Sequence, residues 1–435
     1  TGLCARSALP AHWALGLSFK AVCAYISCSV DALTWWHAHR SNLVLVSRVE
    51  KDLGVNKMSS DSVNKTKQAV DLMSAEELRD PALTAAKLLA QERAYFYEKF
   101  DPPFYIFSRY EDVNNALLDA ETYIEGYGNG PNFQPPRGIL SDAPHHTFTR
   151  GLIQRDFLVK KINDLRPRLE AIVQELLDAV ADKTIWDLHD ELSFPLPVII
   201  ICEILGIPTD DIQRFKRWAD ASVANMCASD PLEYAHELAE MNAYLLAQIH
   251  HKRKLGRTDD LLSVMALAKQ DGEHLSDEEL VAFAVQIFVA GNETTTSLIS
   301  NLVWRLLTID GLWDCFCGGE IDVEDAINES LRFDPPLLGL FKTTSRAVEL
   351  DGVQIPAHTK VMMHYGAANR DPEAFPEPNT FKLKRSGKKM LSFSVGLHVC
   401  IGKELAKLEA SVTLNALRQR YPGLRLVDEG ERVGP

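Results

Sequence analysis

A cysteine in a glycine-containing loop is the residue whose surroundings are best suited to chemistry. Phe393, Gly396, His398, Cys400 and Gly402 follow the pattern Phe-x-x-Gly-x-His-x-Cys-x-Gly. The two glycines permit tight turns and the close approach of a flat ligand. A helix is predicted to begin at about residue 402, and the free N–H groups at its N-terminus favour a thiolate over a thiol. Such a thiolate is a suitable axial ligand for haem iron; the alternative is a buried structural cysteine beside a glycine turn.

An acid and an alcohol stand side by side in the middle of a long predicted helix over 277–308. The segment Ala-Gly-Asn-Glu-Thr-Thr places Glu293 and Thr294 just after Gly291. A glycine in a helix interior costs about 1 kcal/mol. A threonine hydroxyl can bond the carbonyl four residues earlier and bend the helix, so a local kink is predicted. The motif is either an exposed polar patch or a pair that delivers protons to a reacting group.

Two further pairs of polar residues have helical spacing. Glu329 and Arg332 are three residues apart and face the same side of a predicted helix. The chain holds two other Glu-x-x-Arg pairs, so this one gains weight from its position, 71 residues before Cys400. His146 and Arg150 are four residues apart, and both suit charge-assisted bonds to a carboxylate. The alternative for His146 and Arg150 is an ordinary surface pair.

Most of the elements that must position these residues are helices. Apolar residues recur at helical spacing from about residue 75 onward. The clearest predicted helices cover 165–181, 195–207, 232–252, 277–308, 323–332 and 402–418. Short strands are predicted over 347–355 and 359–363, around the turn Asp351-Gly352, and a long irregular segment over 366–390. The chain shows no internal repeat or flexible linker after residue 75, which favours one large domain that is mainly α with small β-sheets.

Composition excludes several classes of function. The chain has 46 basic and 60 acidic side chains and a net charge of −14, which makes it a poor general binder of nucleic acid. Its 8 cysteines include no CxxC pair, which argues against a disulfide scaffold and a zinc site. The longest uncharged piece within the apolar region 12–30, Ala21–Val30, has 10 residues, whereas a bilayer span requires about 20. We therefore expect a cytoplasmic protein without nucleic-acid or membrane partners.

The two ends differ from the middle. Residues 1–57 are interpreted as an N-terminal extension of doubtful structure that need not be native, with Met58 as the true start. The alternative is a membrane anchor or a signal peptide. The sequence stops at Pro435, abruptly for a folded domain, so the domain predicted over 58–435 is expected to be truncated at its C-terminus.

Over residues 75–435, the motifs resemble those of the cytochrome P450 family, in the family's order. The cysteine loop is similar to the haem-binding signature, and the resemblance implies that Cys400 is the axial ligand of the iron of haem b. It also implies that Phe393 packs against the haem and that His398 touches a propionate. Gly396 and Gly402 match the glycines of the signature. Ser394 departs from it, because many members have a second glycine there.

The other motifs resemble further parts of that family. Glu293 and Thr294 are similar to its oxygen-binding groove, which implies that Thr294 hydrogen-bonds dioxygen and Glu293 relays protons. Glu329 and Arg332 resemble its buried ion-pair motif, whose third member would be Arg385, a structural network that supports the haem loop. The resemblance also implies that three residues reach the haem propionates, namely His146, Arg150 and Lys342. Lys342 stands where many members have an arginine.

The resemblance implies a haem-thiolate monooxygenase that inserts one atom of O2 into a hydrophobic small molecule. An apolar pocket is expected around Leu337–Phe341. Electrons would come from a ferredoxin-type donor with its reductase, attracted by basic residues near the cysteine loop, namely Arg385, Lys388, Lys389, Lys403 and Lys407. The alternatives are a peroxygenase that uses peroxide directly, a non-catalytic haem-binding protein and a non-functional fragment.

Overall fold

The structure, a computed structural model, describes residues 44–46, 69–72, 74–225, 232–256 and 259–427. Most of these residues are helical. The helices are α1 (Ala75–Arg79), α2 (Pro81–Leu89), α3 (Tyr110–Leu118), α4 (His145–Ile153), α5 (Val159–Asp164), α6 (Arg166–Ala179), α7 (Pro195–Leu205), α8 (Ile212–Asn225), α9 (Ala235–Leu255), α10 (Leu261–Ala266), α11 (Asp277–Thr308), α12 (Leu312–Cys317), α13 (Val323–Phe333), α14 (Tyr365–Ala368) and α15 (Lys403–Arg420). A π-helix (His189–Ser193) precedes α7, and a 3-10 turn (Gly396–His398) precedes α15.

The strands form small sheets beside the helices. They are β1 (Val44–Val46), β2 (Ala94–Tyr97), β3 (Phe104–Phe107), β4 (Tyr123–Ile124), β5 (Ile185–Asp187), β6 (Lys269–Gln270), β7 (Glu273–His274), β8 (Leu340–Thr344), β9 (Val348–Leu350), β10 (Val353–Ile355), β11 (Lys360–Met363) and β12 (Arg425–Leu426). The largest sheet has the order β2-β3-β11-β8-β4, in which β3 and β11 are parallel and the other pairs antiparallel. In register, Lys342 of β8 lies opposite Val361 of β11.

The long helix α11 organises the helical core. It begins where predicted, because the Ser276 hydroxyl accepts a hydrogen bond from the Glu279 N–H and three acidic residues fill the first turn. It packs against α7, α9, α13 and α15. A Cβ at Gly291 would lie 2.9 Å from the Ile201 side chain, so this glycine allows α7 to approach α11 closely. The helix continues through Gly291 without a break.

The predicted fold class, mainly α with small β-sheets, is confirmed. The predicted helices appear within three residues of their expected ends. The helix predicted over 195–207 ends at Leu205, because Gly206 adopts a left-handed conformation with φ 69°. The segment predicted as one strand over 347–355 forms two, β9 and β10, on either side of the Asp351-Gly352 turn. The segment predicted as irregular, 366–390, has helical structure only in its first residues, within α14.

The predictions for the two ends fall mostly outside the described residues. Of the proposed extension 1–57, the structure describes Val44–Val46, which forms the middle strand of a three-stranded antiparallel sheet with β5 and β12. The boundary at Met58 and the predicted truncation after Pro435 lie outside what the structure describes. Within the described part of the chain, none of the helices combines the length and apolar character needed to cross a bilayer.

Candidate active site

The loop that carries Cys400 is held in a fixed turn just before α15. The Cys400 N–H donates to the Phe393 carbonyl at 2.8 Å, which closes the loop. Gly396 has φ 75°, and a Cβ there would lie 2.8 Å from the Leu117 carbonyl oxygen, so only glycine fits. Ser394 also adopts a left-handed conformation, with φ 58°. That conformation accounts for the glycine of the signature at this position, since glycine takes it without strain and serine does not.

Cys400 lies at the predicted helix N-terminus, but its electrostatics differ from the expectation. N–H groups of Gly402 and Lys403 and the charges of Arg150 and Lys403 all lower its pKa. Burial raises it by more, so the net pKa of the thiol is raised rather than lowered. The helix dipole alone therefore does not produce a thiolate in this loop. A bound cation on the sulfur would be needed to stabilise it.

Three of the residues predicted to bind propionates form one cluster with His398. The rings of His146 and His398 lie 4.2 Å apart between centroids. Both nitrogens of His146 and Nε2 of His398 are buried without a hydrogen-bond partner. Burial, with the charges of Lys342, His146 and Arg150, lowers the pKa of His398 to about 2. Burial and Arg150 likewise lower the pKa of His146. The cluster therefore concentrates positive charge and unused hydrogen-bonding atoms.

Arg150 and Lys342 have different partners within the cluster. Arg150 donates from Nη2 to the Val399 carbonyl at 2.7 Å, next to Cys400. Lys342 is buried, and its Nζ lies 2.5 Å from Oε1 of the equally buried Glu125. The other carboxylate oxygen of Glu125 has no hydrogen-bond partner. Lys342, which was expected to reach a propionate, thus already has a carboxylate beside it.

These residues fit a haem. Its two propionates are carboxylates, and the unpaired nitrogens of His146 and His398 are the kind of atoms that would receive them, beside the charges of Arg150 and Lys342. The surrounding chain desolvates the Cys400 sulfur, yet part of the residue remains exposed. Cys400 would therefore ligate the iron of a bound haem, and the cationic cluster would receive its propionates.

Thr294 and Glu293 lie on different sides of the long helix. The Thr294 hydroxyl donates to the Ala290 carbonyl at 2.9 Å, which is the back-bond predicted for a threonine at this place. Glu293 has a buried carboxylate oxygen with no partner. Burial, with the charge of Asp220, raises the pKa of Glu293 to about 7, although His189 and Lys216 partly oppose that shift. Glu293 can therefore exchange a proton near neutral pH.

Sequence reasoning missed the residues that surround Glu293. They come from α8, which carries Lys216 and Asp220, and from the π-helix that carries His189. His189 Nδ1 lies 2.8 Å from Asp190 Oδ1, and Lys216 Nζ lies 3.7 Å from the same oxygen. A π-helix often marks a functional region, but no pattern in the segment indicated one. The charges are brought together by packing between helices far apart in sequence.

The structure brings together Glu329, Arg332 and Arg385. Arg332 donates two hydrogen bonds to the Glu329 carboxylate, at 2.9 and 2.7 Å. Arg385 Nε lies 3.0 Å from both carboxylate oxygens, and the Lys382 N–H adds a bond at 2.7 Å. Both arginines also donate to backbone carbonyls of residues 376–380, and Arg332 to that of Asn369. The network ties α13 to the irregular segment that leads to the cysteine loop.

The basic residues near the cysteine loop are less available to attract an acidic electron donor than the sequence suggested. Arg385 belongs to the Glu329 network. Three lysines face carboxylates of their own, since Lys388 lies 2.6 Å from Glu111, Lys403 3.6 Å from Glu404 and Lys407 3.7 Å from Glu324. Such surface pairs are worth about 0–1 kcal/mol each. They reduce the net positive charge of this surface without removing it.

Comparison with known proteins agrees with this geometry. A family model described as Cytochrome P450 matches residues 323–423. The vitamin D(3) 25-hydroxylase of Pseudonocardia autotrophica is 34% identical over 367 residues, 82% of this chain and 90% of the relative. The structure of a P450 EryK mutant in complex with erythromycin B has a TM-score of 0.70 at 32% identity, and the match covers 78% of this chain and 89% of that one. The structure of P450BioI with hexadec-9Z-enoic acid ligated acyl carrier protein has a TM-score of 0.73 at 28% identity, covering 81% and 94%.

The relative from Pseudonocardia is similar enough, over enough of the chain, to decide the family. Three of the residues expected to contact haem, His146, Arg150 and His398, also lie together beside the cysteine loop. The chain belongs to the cytochrome P450 family of haem-thiolate monooxygenases.

Proposed function

We propose that this chain binds haem b through Cys400 and inserts one oxygen atom of O2 into a hydrophobic small molecule, using electrons from a ferredoxin-type donor with its reductase. The observation that carries the proposal is the arrangement around the cysteine loop. A cysteine with exposed surface lies beside a buried cationic cluster whose histidine nitrogens have no partners. A thiolate ligand and two propionates account for both features, whereas a structural cysteine accounts for neither.

Each residue of the site then has a role in the reaction. When bound, the haem supplies the activation of dioxygen, after which one oxygen atom enters the substrate and the other becomes water. The Cys400 sulfur would ligate the iron and supply electron density to it. The Thr294 hydroxyl, held by the Ala290 carbonyl, would hydrogen-bond dioxygen. Glu293, with a pKa of about 7, passes protons inward near neutral pH.

The proposal of a hydrophobic substrate rests on the relatives. Leu338 and Phe341, in the apolar segment expected to line the pocket, are buried in a hydrophobic cluster with Phe104 and Met362. The names of three similar proteins refer to vitamin D(3), to erythromycin B and to a hexadecenoic acid on its carrier protein, which are large and mostly apolar molecules. We infer that this chain accepts a molecule of that class and works in the cytoplasm, where a ferredoxin can reach it.

The test is the absorbance spectrum of the purified protein, reduced with dithionite under carbon monoxide. A Soret band at the wavelength in the family's name would establish haem with a thiolate ligand. A band at shorter wavelength would indicate a neutral ligand and contradict the role of Cys400. Protein that takes up no haem would contradict the proposal as a whole. The donor is tested separately, by the ionic-strength dependence of reduction by a ferredoxin.

A further inference from the structure

A buried lysine, Lys360, holds a loop that the reaction chemistry does not explain. Lys360 begins β11 and is 2% exposed. Its Nζ donates to the carbonyls of Tyr127 and Gly128, at 2.8 Å each. The same ammonium lies 5.1 Å from the ring centroid of Phe133. Two carbonyl oxygens and one aromatic face therefore surround the charge, and all three belong to the loop over 125–134.

Burying this charge is costly, so its partners must offset the cost. Among the described residues, no carboxylate forms an ion pair with Lys360, and burial lowers its pKa to about 8. An apolar side chain of similar length would fill the same space without that penalty. The lysine is protonated at neutral pH and gains charge-assisted hydrogen bonds and a cation–π contact from the loop. The interactions that offset the cost of burying Lys360 therefore also order the loop.

The loop needs an external anchor, because its sequence favours many conformations. Residues 127–132 read Tyr-Gly-Asn-Gly-Pro-Asn, and glycines raise the entropy lost on ordering. Few bonds join its backbone to the rest of the chain. The N–H groups of Glu125 and Gly126 donate to the Asp142 carboxylate at 2.8 and 2.7 Å, and Phe341 N–H donates to the Asn129 carbonyl at 2.9 Å. The Phe133 ring is 48% exposed, so burial does not fix it. Lys360 adds contacts from the sheet to Tyr127, Gly128 and Phe133, beside the Phe341–Asn129 bond and the Lys342–Glu125 ion pair.

The continuation of the loop reaches the reacting helix. Gln286 of α11 donates to the Arg137 carbonyl at 3.0 Å and accepts from the Ile139 N–H at 3.1 Å. Gln286 lies two helical turns before Glu293. One chain segment therefore runs from the Lys360 anchor on the sheet to an anchor on α11, beside the proposed reaction site.

We propose that Lys360 is a positioning residue, which holds the loop over 125–134 closed and so sets how tightly large hydrophobic ligands bind. Ligands of the haem iron that are too small to reach the loop do not depend on this contact, which we call the Lys360 clamp. The claim about ligands rests on the proposed function, whereas the claim that Lys360 orders the loop does not.

The first experiment measures hydrogen exchange of the purified holoprotein by mass spectrometry. Lys360→Met keeps the length of the side chain and removes the charge. The amides of residues 127–134 should exchange about tenfold faster, as expected for the loss of charge-assisted bonds. The matched control is Lys252→Met. Lys252 is also buried, but it pairs with Asp260 at 2.7 Å and has no bond to the loop over 125–134 among those that the structure describes. Unchanged exchange in the loop of Lys360→Met would overturn the proposal.

The second experiment uses two azoles that bind haem, imidazole and the larger 4-phenylimidazole, and follows the Soret shift. Lys360→Met should weaken the binding of 4-phenylimidazole about three- to tenfold and leave the binding of imidazole unchanged, because a loosened loop affects the contacts of the large probe alone. An equal loss for both azoles would point to a damaged haem site and would contradict the clamp. A chain that binds no haem would contradict the proposed function, while the exchange experiment would still decide on the clamp.

A second variant keeps the proposal testable if Lys360→Met does not fold. Phe133→Ala changes a half-exposed ring and removes only the aromatic contact to the ammonium. The same loop amides should then exchange about two- to threefold faster. If Phe133→Ala left the exchange unchanged, the contact between the ammonium and the ring would not order the loop, which would contradict the proposal.

Discussion

Two glutamates show the difference between two regions of this molecule. The supporting region comprises the Glu329 network and the cysteine loop, and the reacting region is the middle of α11 around Glu293. Glu329 is buried, and Glu293 is half-buried with one buried carboxylate oxygen. Glu329 accepts hydrogen bonds from two arginines and one backbone N–H, all between 2.7 and 3.0 Å. Glu293 has a carboxylate oxygen with no partner, and burial raises its pKa to about 7. A carboxylate whose hydrogen-bonding capacity is used up holds chain segments together. A carboxylate left unsatisfied in a buried place remains available for proton transfer.

The largest expected effect is at the junction of the two regions, at Cys400. Cys400→Ser removes the sulfur that the supporting region positions and the reacting region uses. We expect a folded protein whose reduced carbon monoxide spectrum has lost the thiolate band and whose monooxygenase activity is undetectable. Difference spectra and far-ultraviolet circular dichroism on the same sample check both statements. An unchanged band would mean that another residue ligates the iron.

The next prediction separates the two glutamates by what their loss damages. Glu329→Gln leaves Arg332 and Arg385 without a full countercharge, and breaking such a buried network typically costs about 3–5 kcal/mol. We expect a lower melting temperature and a large loss of haem content per chain. The matched control is Glu76→Gln, which changes an exposed Glu-x-x-Arg pair with the same spacing and should have no effect. Normal haem content in Glu329→Gln would show that the network does not support the cysteine loop.

Changes in the reacting region should leave folding intact and disturb the use of electrons. Thr294→Ala removes the hydroxyl held by the Ala290 carbonyl, whereas Thr294→Ser keeps it. We expect Thr294→Ala to bind haem normally and to lower product formation about a hundredfold, the lower end of typical acid–base contributions. Electrons should appear as hydrogen peroxide instead. The measurement is the ratio of product formed to NADH consumed in both variants. If this ratio were as low in Thr294→Ser as in Thr294→Ala, the effect would come from altered packing and not from the lost hydroxyl.

The supporting region is easier to predict from sequence than the surroundings of Glu293, because more of its signals are local. The supporting region is built from local signals, such as the Ser276 cap that starts α11 and the glycine turn before Cys400. Arg385 was identified as the partner of Glu329 through family resemblance, since 56 residues separate them. The environment of Glu293 depends on helices packed from distant parts of the chain. No spacing in the sequence indicates that His189, Lys216 and Asp220 would meet there.

A milder test of the comparison uses pH. The pKa of Glu293 is about 7 in the folded chain against an ordinary value of 4.5, so the folded protein binds this proton more tightly than the unfolded chain does. Its stabilising contribution is full below about pH 4.5 and is lost as the pH rises to about 7, roughly 3 kcal/mol in all for a shift of this size. Glu293→Gln should remove that part of the pH dependence. Urea unfolding of both proteins between pH 5 and 8 measures it, and parallel curves would mean that Glu293 titrates normally.

The smallest expected effect is at Ser394, a strained position in the supporting region. Ser394 has φ 58° in a loop where Gly396 has φ 75°, and a side chain in the left-handed region costs about 1–2 kcal/mol. Ser394→Gly should relieve that strain and raise the free energy of unfolding by about 0.5–1 kcal/mol, because glycine also loses more entropy on folding. Gly396→Ala should have the opposite sign, since its Cβ would lie 2.8 Å from the Leu117 carbonyl oxygen. Denaturant midpoints measure both changes. If Ser394→Gly were destabilising, the serine side chain would contribute more to the loop than its backbone conformation costs, and the hydroxyl would then belong to the contacts that hold Cys400 in place.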